Sequence, residues 1–215
     1  HLIQVNASDA LGNWAVYDHT VEVDSTPPWL TILSPEEGAY DHTSITLEVE
    51  SGDDGSGLAD RTFRLDGGSW TGFDSPRNLT VQEGHHLLEV RAEDLLGNSM
   101  VRNVSFTVDL TPPSLDILRP SDGSLIGSSE TEVEWSSSDG FSGVGEAQLR
   151  VNGGEWNPVQ SPHPLELEEG GNLIELEVKD LAGNAVRERV EVTVDSIAPQ
   201  VFVMPLGVVN TTSPM

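Results

Sequence analysis

Aspartates that recur at regular intervals are the residues of this chain with the clearest potential for chemistry. Asp9, Asp94 and Asp180 each open an Asp-x-x-Gly-Asn segment. Calcium ions prefer such oxygen ligands, six to eight of them at about 2.3–2.6 Å. An aspartate at the first position of a type I turn can instead accept hydrogen bonds from the N–H groups of that turn, with glycine fourth. Two roles therefore stay open, calcium ligand and turn cap.

Catalytic motifs do not accompany these aspartates. The sequence contains no cysteine, no Gly-x-Ser-x-Gly elbow, no phosphate-binding glycine loop and no His-Glu-x-x-His. His85 and His86 are neighbours on a predicted strand, so their side chains point to opposite faces and cannot share a metal. A pair of hydrolytic carboxylates would need a cleft, which repeated sandwiches do not supply. We expect no enzymatic activity.

The charge balance narrows the choice of partners. Asp and Glu number 36 against 10 Lys and Arg, which gives a formal net charge of −26. A field of that sign repels phosphate backbones, so nucleic acid is excluded as a partner. No stretch approaches the roughly 18 apolar residues of a membrane span. The chain opens inside a repeated pattern with no visible signal peptide, and we interpret it as a fragment of a longer protein.

Internal repetition determines the predicted organisation. The Asp-x-x-Gly-Asn segments are 85 and 86 residues apart, and each is followed by Val-Asp and a proline-bearing stretch, as in Val23-Asp-Ser-Thr-Pro-Pro28. Asp66-Gly-Gly-Ser-Trp70 recurs as Asn152-Gly-Gly-Glu-Trp156 in the same register. The predicted domains are the C-terminal hairpin of a preceding repeat at 1–24, whole repeats at 25–109 and 110–195, and the start of a following repeat at 196–215.

Within each repeat the hydrophobic period is two, which indicates strands. Ile45, Leu47 and Val49 alternate with polar residues, as do Leu88, Val90 and Ala92. Asp-Gly and Asn-Gly are strong hairpin signals, and a short strand is predicted around the tryptophan that follows each of them. About seven short strands in about 85 residues predict an all-β immunoglobulin-like sandwich for each repeat.

The four recurring motifs together support a resemblance. They are Asp-x-x-Gly-Asn, Val-Asp-x-Thr-Pro-Pro, the Asp-x-x-Ser-Gly loop and the Asp/Asn-Gly-Gly-x-Trp hairpin. The combination resembles the Ig-like repeats of bacterial and archaeal surface proteins, which occur in adhesins, S-layer-like proteins and the accessory regions of secreted enzymes. The resemblance implies an extracellular or cell-surface location. It says little about function, because such repeats serve as spacers in many unrelated proteins.

A sandwich of this type predicts where the aspartates meet. The loop between the second and third strands, the turn between the last two strands and the incoming linker lie at one end. Calcium sites at the domain junctions would then be formed by two sets of carboxylates: Asp24, Asp53, Asp54 and Asp94 in the first, and Asp109, Asp139 and Asp180 in the second. The alternative is that each aspartate only caps its own turn.

Two further surface features concern glycans. Candidate glycosylation sites are Asn6, Asn78, Asn103 and Asn210, each in an Asn-x-Ser/Thr sequon. The first three are predicted to face solvent, because each lies next to an inward apolar residue on a strand. The tryptophans could form a platform for sugar, although Trp135 shares the inward parity of Val133, and Trp70 and Trp156 are explained by packing over the sandwich edge.

Two hypotheses for function follow. The first is a non-catalytic structural or adhesive array, such as a stalk, surface-layer or filament segment, whose partners are neighbouring repeats, copies of the same protein or surface glycans. The second is an accessory spacer or carbohydrate-binding module of a secreted hydrolase. No cofactor is expected other than calcium.

Overall fold

The structure, a computed structural model of the chain, describes residues 1–202. Every regular element in this range is a β-strand, and the region includes no helix long and apolar enough to cross a membrane. Internal contacts divide the chain into two compact units. The first consists of residues 1–115, 137–147 and 177–186; the second consists of 116–136, 148–176 and, among the described residues, 187–202.

Eighteen strands follow one another along the described chain. They are β1 (Leu2–Ser8), β2 (Trp14–Thr20), β3 (Trp29–Ser34), β4 (Gly38–Tyr40), β5 (Ser44–Gly52), β6 (Leu58–Leu65), β7 (Thr71–Gly72), β8 (Arg77–Thr80), β9 (Gly84–Asp94), β10 (Ser99–Val108), β11 (Ser114–Arg119), β12 (Ser124–Ile126), β13 (Glu130–Ser138), β14 (Val144–Val151), β15 (Asn157–Pro158), β16 (His163–Glu166), β17 (Gly170–Asp180) and β18 (Ala185–Val194).

The strand order repeats after eight strands. Strands β3 to β10 form a three-stranded sheet, β3-β5-β8, and a five-stranded sheet, β4-β10-β9-β6-β7. Strands β11 to β18 form β11-β13-β16 and β12-β18-β17-β14-β15, which is the same order. The predicted fold class, all-β with tandem immunoglobulin-like sandwiches, is confirmed. Each repeat has eight strands, because a three-residue strand, β4 or β12, pairs parallel with the last strand.

The core of the first sandwich lies between its two sheets. Ile45, Leu47 and Val49 of β5 are buried on one side, and Leu88 and Val90 of β9 on the other. In each of these strands the intervening residues are less buried, so the alternation seen in the sequence is the alternation of the pleat. In the second repeat, Trp135 of β13 is buried, at 8% exposure, as expected from the parity that it shares with the buried Val133.

The Asp-Gly and Asn-Gly hairpins have the backbone that their sequences require. Asp66 and Gly67 both have positive φ, 52° and 71°, and Asn152 and Gly153 repeat this at 51° and 73°. Two successive left-handed residues define the turn that matches the twist of a tight hairpin. The next strand begins one residue after Trp70, at β7, so the predicted short strand follows the tryptophan and does not include it.

Residues 1–24 form a two-stranded hairpin. Strands β1 and β2 pair antiparallel from Leu2 opposite Thr20 to Ser8 opposite Trp14. Every residue of both strands is exposed, including Ile3 and Val5. At the corresponding positions of β9, Leu88 and Val90 are fully buried by the opposing sheet. The four domain boundaries stay a prediction, and most of the last segment, with Asn210, lies outside the described residues.

Candidate functional site

Asp109 precedes the proline-bearing stretch 110–113, which is the linker between the two whole repeats. Loops of the repeat that follows this linker hold Asp109. Asp109 is fully buried, and its Oδ1 accepts the N–H of Thr111 at 3.0 Å. Its Oδ2 accepts the backbone N–H of Ser142 at 3.0 Å and the hydroxyl of the same serine at 2.5 Å. Asn184 donates from Nδ2 to the main-chain oxygen of Asp109 at 2.9 Å. All four residues belong to the first compact unit.

The first repeat contains the same arrangement around Asp24. Its Oδ1 accepts the N–H of Thr26 at 2.9 Å, and its Oδ2 accepts that of Ser56 at 2.7 Å. Asn98 donates from Nδ2 to the main-chain oxygen of Asp24 at 3.3 Å. The linker aspartate is therefore tied twice, through its side chain to a loop serine and through its carbonyl to a turn asparagine.

The turn aspartates cap their own turns. Oδ1 of Asp94 accepts the N–H groups of Leu96 and Asn98, both at 2.9 Å, and Oδ2 accepts Nδ2 of Asn98 at 2.7 Å. Oδ1 of Asp180 accepts the N–H groups of Gly183 and Asn184, at 2.6 and 2.9 Å, and its Oδ2 accepts Nδ2 of Asn184 at 2.8 Å. The capping role that the Asp-x-x-Gly pattern predicts is present. The asparagine of the motif bridges this turn to the linker, a role that the sequence did not reveal.

The loop aspartates also accept hydrogen bonds from their own loops. Oδ2 of Asp53 accepts the N–H groups of Gly55 and Gly57, at 3.0 and 2.7 Å. Oδ1 of Asp139 bonds the equivalent residues Phe141 and Gly143, at 3.1 and 2.6 Å. Each loop aspartate thus fixes the loop whose serine holds the linker.

The three kinds of aspartate meet at one place in each repeat. One carboxylate oxygen from each of Asp24, Asp53 and Asp94 lies within 4.8 Å of the other two, and Asp109, Asp139 and Asp180 are grouped in the same way. These are the sets expected from the sequence, except that Asp54 is exposed and outside its group. The calcium ion itself stays a prediction.

Hydrogen bonding lowers the pKa of two of these carboxylates, Asp94 and Asp109. Burial favours the neutral form of Asp94, but the bonds from Asn98 and the N–H of Leu96 outweigh it and lower the pKa of Asp94, against the opposing effect of Asp24. For Asp109 burial again acts to raise the pKa, and the bonds from Ser142 and Thr111 lower it.

The linker is also fixed from the opposite side. Oε1 of Glu83 accepts the N–H of Leu110 at 2.9 Å and the hydroxyl of Thr111 at 2.8 Å. Glu169 bonds the N–H and hydroxyl of Ser196 in the corresponding place of the second repeat. Neither glutamate belongs to a motif recognised in the sequence, although they occur 86 residues apart, in the register of the repeat.

The hairpin tryptophans are covered by arginine. The guanidinium carbon of Arg64 lies 4.6 Å from the ring centroid of Trp70, and Arg150 lies 4.6 Å from that of Trp156. Arg64 is held there by two bonds to Glu89, at 2.7 and 2.8 Å, and these bonds lower the pKa of Glu89. Such stacking uses a ring face that a sugar platform would need.

The sequons lie on strand surfaces. Asn6, Asn78 and Asn103 are all exposed, and Leu79 and Val104 beside the last two are buried. The predicted exposure of these three side chains is therefore present in the structure. Their glycosylation stays a prediction.

Comparisons with known proteins give likeness of structure only. No family model matches the chain, and no curated protein matches it. The chain is similar to the fibronectin(III)-like modules of Clostridium thermocellum CbhA, with 14% identity, TM-score 0.48, and 82% of this chain and 100% of that chain covered. Three N-terminal domains of the bacteriophage RB49 outer capsid protein Hoc give 9% identity, TM-score 0.45, and coverage of 80% and 71%. Cadherin domains 3–6 of protocadherin gamma B2 give 15%, TM-score 0.38, and coverage of 90% and 60%.

Proposed function

We propose that this chain is part of a non-catalytic, extracellular structural or adhesive array, in which successive sandwiches are joined at fixed junctions. The observation that carries the proposal is the bonding of the linker aspartate to the following repeat, which occurs at Asp24 and again at Asp109. A linker that served only as a flexible spacer would not need these bonds. Two copies of one joint indicate a role that depends on how repeats are connected.

The chemistry of the joint supports a mechanical role. Glu83 binds the linker residues Leu110 and Thr111 from one side, and Ser142 and Asn184 bind Asp109 from the other. Hydrogen bonds to carboxylates are shorter and stronger than those between neutral groups. The joint therefore limits rotation of the linker while leaving the surfaces of the sandwiches free for partners such as other copies or glycans.

Distance measurements between spin labels test the proposal. The chain has no cysteine, so Ser69→Cys and Glu155→Cys, exposed and equivalent in the two repeats, provide unique labelling sites. We expect a narrow distribution of distances that broadens in Asp109→Ala. Asp116→Ala, at an exposed aspartate of β11, is the matched control and should leave the distribution unchanged. A broad distribution in the unmodified junction would refute a structural joint.

Location is tested separately. Antibodies against the folded chain should label intact cells that make the protein, and external protease should remove the signal. Labelling that appears only after the cells are opened would contradict the extracellular part of the proposal and leave the joint unaffected.

Calcium at the two aspartate groups is a second proposal. The proximity of three carboxylate oxygens in each repeat favours it, because calcium prefers oxygen ligands. Calcium would attach the linker aspartate to both loops of the next repeat and strengthen the same joint.

A further inference from the structure

His86 is a largely buried histidine whose two ring nitrogens both face acceptors. Nδ1 lies 2.8 Å from Oδ2 of Asp66, and Nε2 lies 2.8 Å from the main-chain oxygen of Gln82. The side chain of His86 is 9% exposed. A carbonyl oxygen only accepts, so Nε2 carries a hydrogen, and Nδ1 must carry another when Asp66 is ionised. The geometry fits the charged imidazolium form.

Asp66 is arranged to be that ionised partner. Its Oδ1 accepts the N–H of Leu87 at 2.9 Å, and Asp66 itself has the left-handed backbone of the β6–β7 turn. Burial acts to raise the pKa of Asp66, but the bonds from His86 and Leu87 outweigh it, so the pKa lies below the ordinary 3.8. The pair therefore holds a turn, a strand and the loop around Gln82 together.

The second repeat has the same network without charge. Asn152 takes the place of Asp66, and Asn172 that of His86, each 86 residues further on. Oδ1 of Asn152 accepts the N–H of Leu173 at 2.8 Å, and its Nδ2 donates to Asn172 at 3.0 Å. Asn172 donates to the main-chain oxygen of Glu168 at 2.7 Å, as His86 does to that of Gln82. The two repeats thus have the same hydrogen-bonded arrangement at this point. Its side chains can change charge in the first repeat, and in the second they cannot.

The groups around His86 leave Asp66 as its ionic partner. On its own segment, His85 bonds Thr107, and Glu83 bonds the linker. From β10, the ring of Phe106 lies 5.5 Å away, and from β4, Tyr40 packs edge-on against that same Phe106. The other residues that line this region are uncharged: Gly38, Ala39, Leu87, Ser105, Thr107, Ser142 and Leu181.

We propose that the Asp66–His86 pair is a pH-sensitive latch on residues 82–84, present in the first repeat and replaced by a pH-insensitive one in the second. The latched loop carries Glu83, which binds Leu110 and Thr111 of the linker. Loss of one imidazolium proton leaves a single N–H on the ring, so either Asp66 or the main-chain oxygen of Gln82 loses its donor, and the loop that fixes this joint is loosened. The equivalent joint at Glu169 and Ser196 keeps its neutral latch at every pH.

The sign of the effect follows from linkage. The geometry places a proton on both ring nitrogens of His86, so the contribution of the pair is lost when rising pH removes one of these protons. Asp66, with its lowered pKa, contributes stability that is present above 3.8 and is lost as the pH falls through its folded value. The latch is therefore closed at mildly acidic pH and opens toward alkaline pH.

Hydrogen exchange on the full chain tests the latch, with one repeat as the control for the other. The amide of Leu87 bonds Asp66, and the amide of Leu173 bonds Asn152. After correction for intrinsic exchange rates, protection at Leu87 should fall by about tenfold between pH 5.5 and 8, the size of one charge-assisted hydrogen bond, while protection at Leu173 stays constant. Nitrogen-15 NMR of the His86 ring should show both nitrogens protonated at pH 5.5.

Exchange of the two pairs makes the test symmetrical. The double change Asp66→Asn and His86→Asn gives the first repeat the neutral pair of the second, and should remove the pH dependence while the fold is kept. Asn152→Asp with Asn172→His should transfer the pH dependence to Leu173. Equal pH responses at Leu87 and Leu173 in the unchanged chain, or a neutral His86 ring at pH 5.5, would overturn the proposal.

Discussion

Asn184 donates a hydrogen bond from its side chain to the main-chain oxygen of Asp109, at 2.9 Å, across 75 residues of sequence. The same Nδ2 group also bonds the carboxylate of Asp180 at 2.8 Å, so one amide joins a turn of the second sandwich to the linker before it. Asn98 makes both contacts in the first repeat, to Asp24 and Asp94. The last residue of the Asp-x-x-Gly-Asn motif is therefore the connection between turn and junction.

Removal of this amide should weaken the junction end of the repeat. Asn184→Ala leaves the buried carbonyl of Asp109 without its donor, and we expect a loss of about 1–3 kcal/mol in the free energy of unfolding. Asn98→Ala should cost less, because its bond to the Asp24 oxygen is longer, at 3.3 Å. Urea denaturation measures both. Asn103→Ala, on the exposed face of β10, is the control, and an equal effect there would contradict the bridging role.

The turn glycines should resist substitution for a backbone reason alone. Gly97 and Gly183 have φ of +89° and +101°, and an added Cβ would meet nothing within 4 Å at either position. Gly97→Ala and Gly183→Ala should each cost about 1 kcal/mol or more, since only the left-handed conformation is penalised. Gly140→Ala, at an equally open glycine without positive φ, should be nearly neutral in the same thermal melts. Equal melting temperatures for these three variants would show that a side chain at Gly97 or Gly183 does not strain the turn.

The sequence predicts the large strands and the meeting of the aspartates, but not the bonds that span the junction. Alternation in β5 and β9 reports burial directly, because every second side chain faces the core. Strand β4 has only three residues and pairs parallel with β10, so no local period reveals it. The contact of His86 with Asp66 depends on a left-handed turn and on the register that sets Leu65 opposite Leu88, and it could not be read from two adjacent histidines.

Acid should destabilise the turns through their aspartates. Because the pKa of Asp94 in the fold lies below its ordinary value, its contribution to stability is complete above about pH 4 and is lost as the pH falls through the folded value. In Asp94→Asn an amide would face the donor group of Asn98, so the melting temperature at pH 7 should fall by roughly 4–8 °C. The acid limb of the stability curve should also become shallower. Asp116→Asn should leave the melting temperature at pH 7 and the loss of stability in acid unchanged. If Asp94→Asn loses stability in acid as steeply as the original protein, groups other than Asp94 cause that loss.

Calcium binding can be separated from turn capping by two neighbouring residues. Asp53 lies in the first aspartate group, and Asp54 is exposed outside it. Asp53→Asn keeps an oxygen that can cap the loop but removes a charged ligand, whereas Asp54→Asn removes the same charge next to the site. Isothermal titration of the full chain should give two saturable sites, with dissociation constants of about 10⁻⁴–10⁻³ M if they resemble extracellular modules. One site should be lost in Asp53→Asn and none in Asp54→Asn.

Melting temperature provides the independent readout for calcium. At a calcium concentration ten times the dissociation constant, each site that exists only in the fold should add about 1.4 kcal/mol of stability. Chelation should reverse the increase, and Asp139→Asn should reduce it by the share of the second site. Parallel losses in Asp53→Asn and Asp54→Asn would indicate screening of the net charge of −26 and not binding at the groups. If millimolar calcium gives no saturable binding and chelation leaves the melting temperature unchanged, the aspartates act only as caps of their turns and as the bonded residues of the linker.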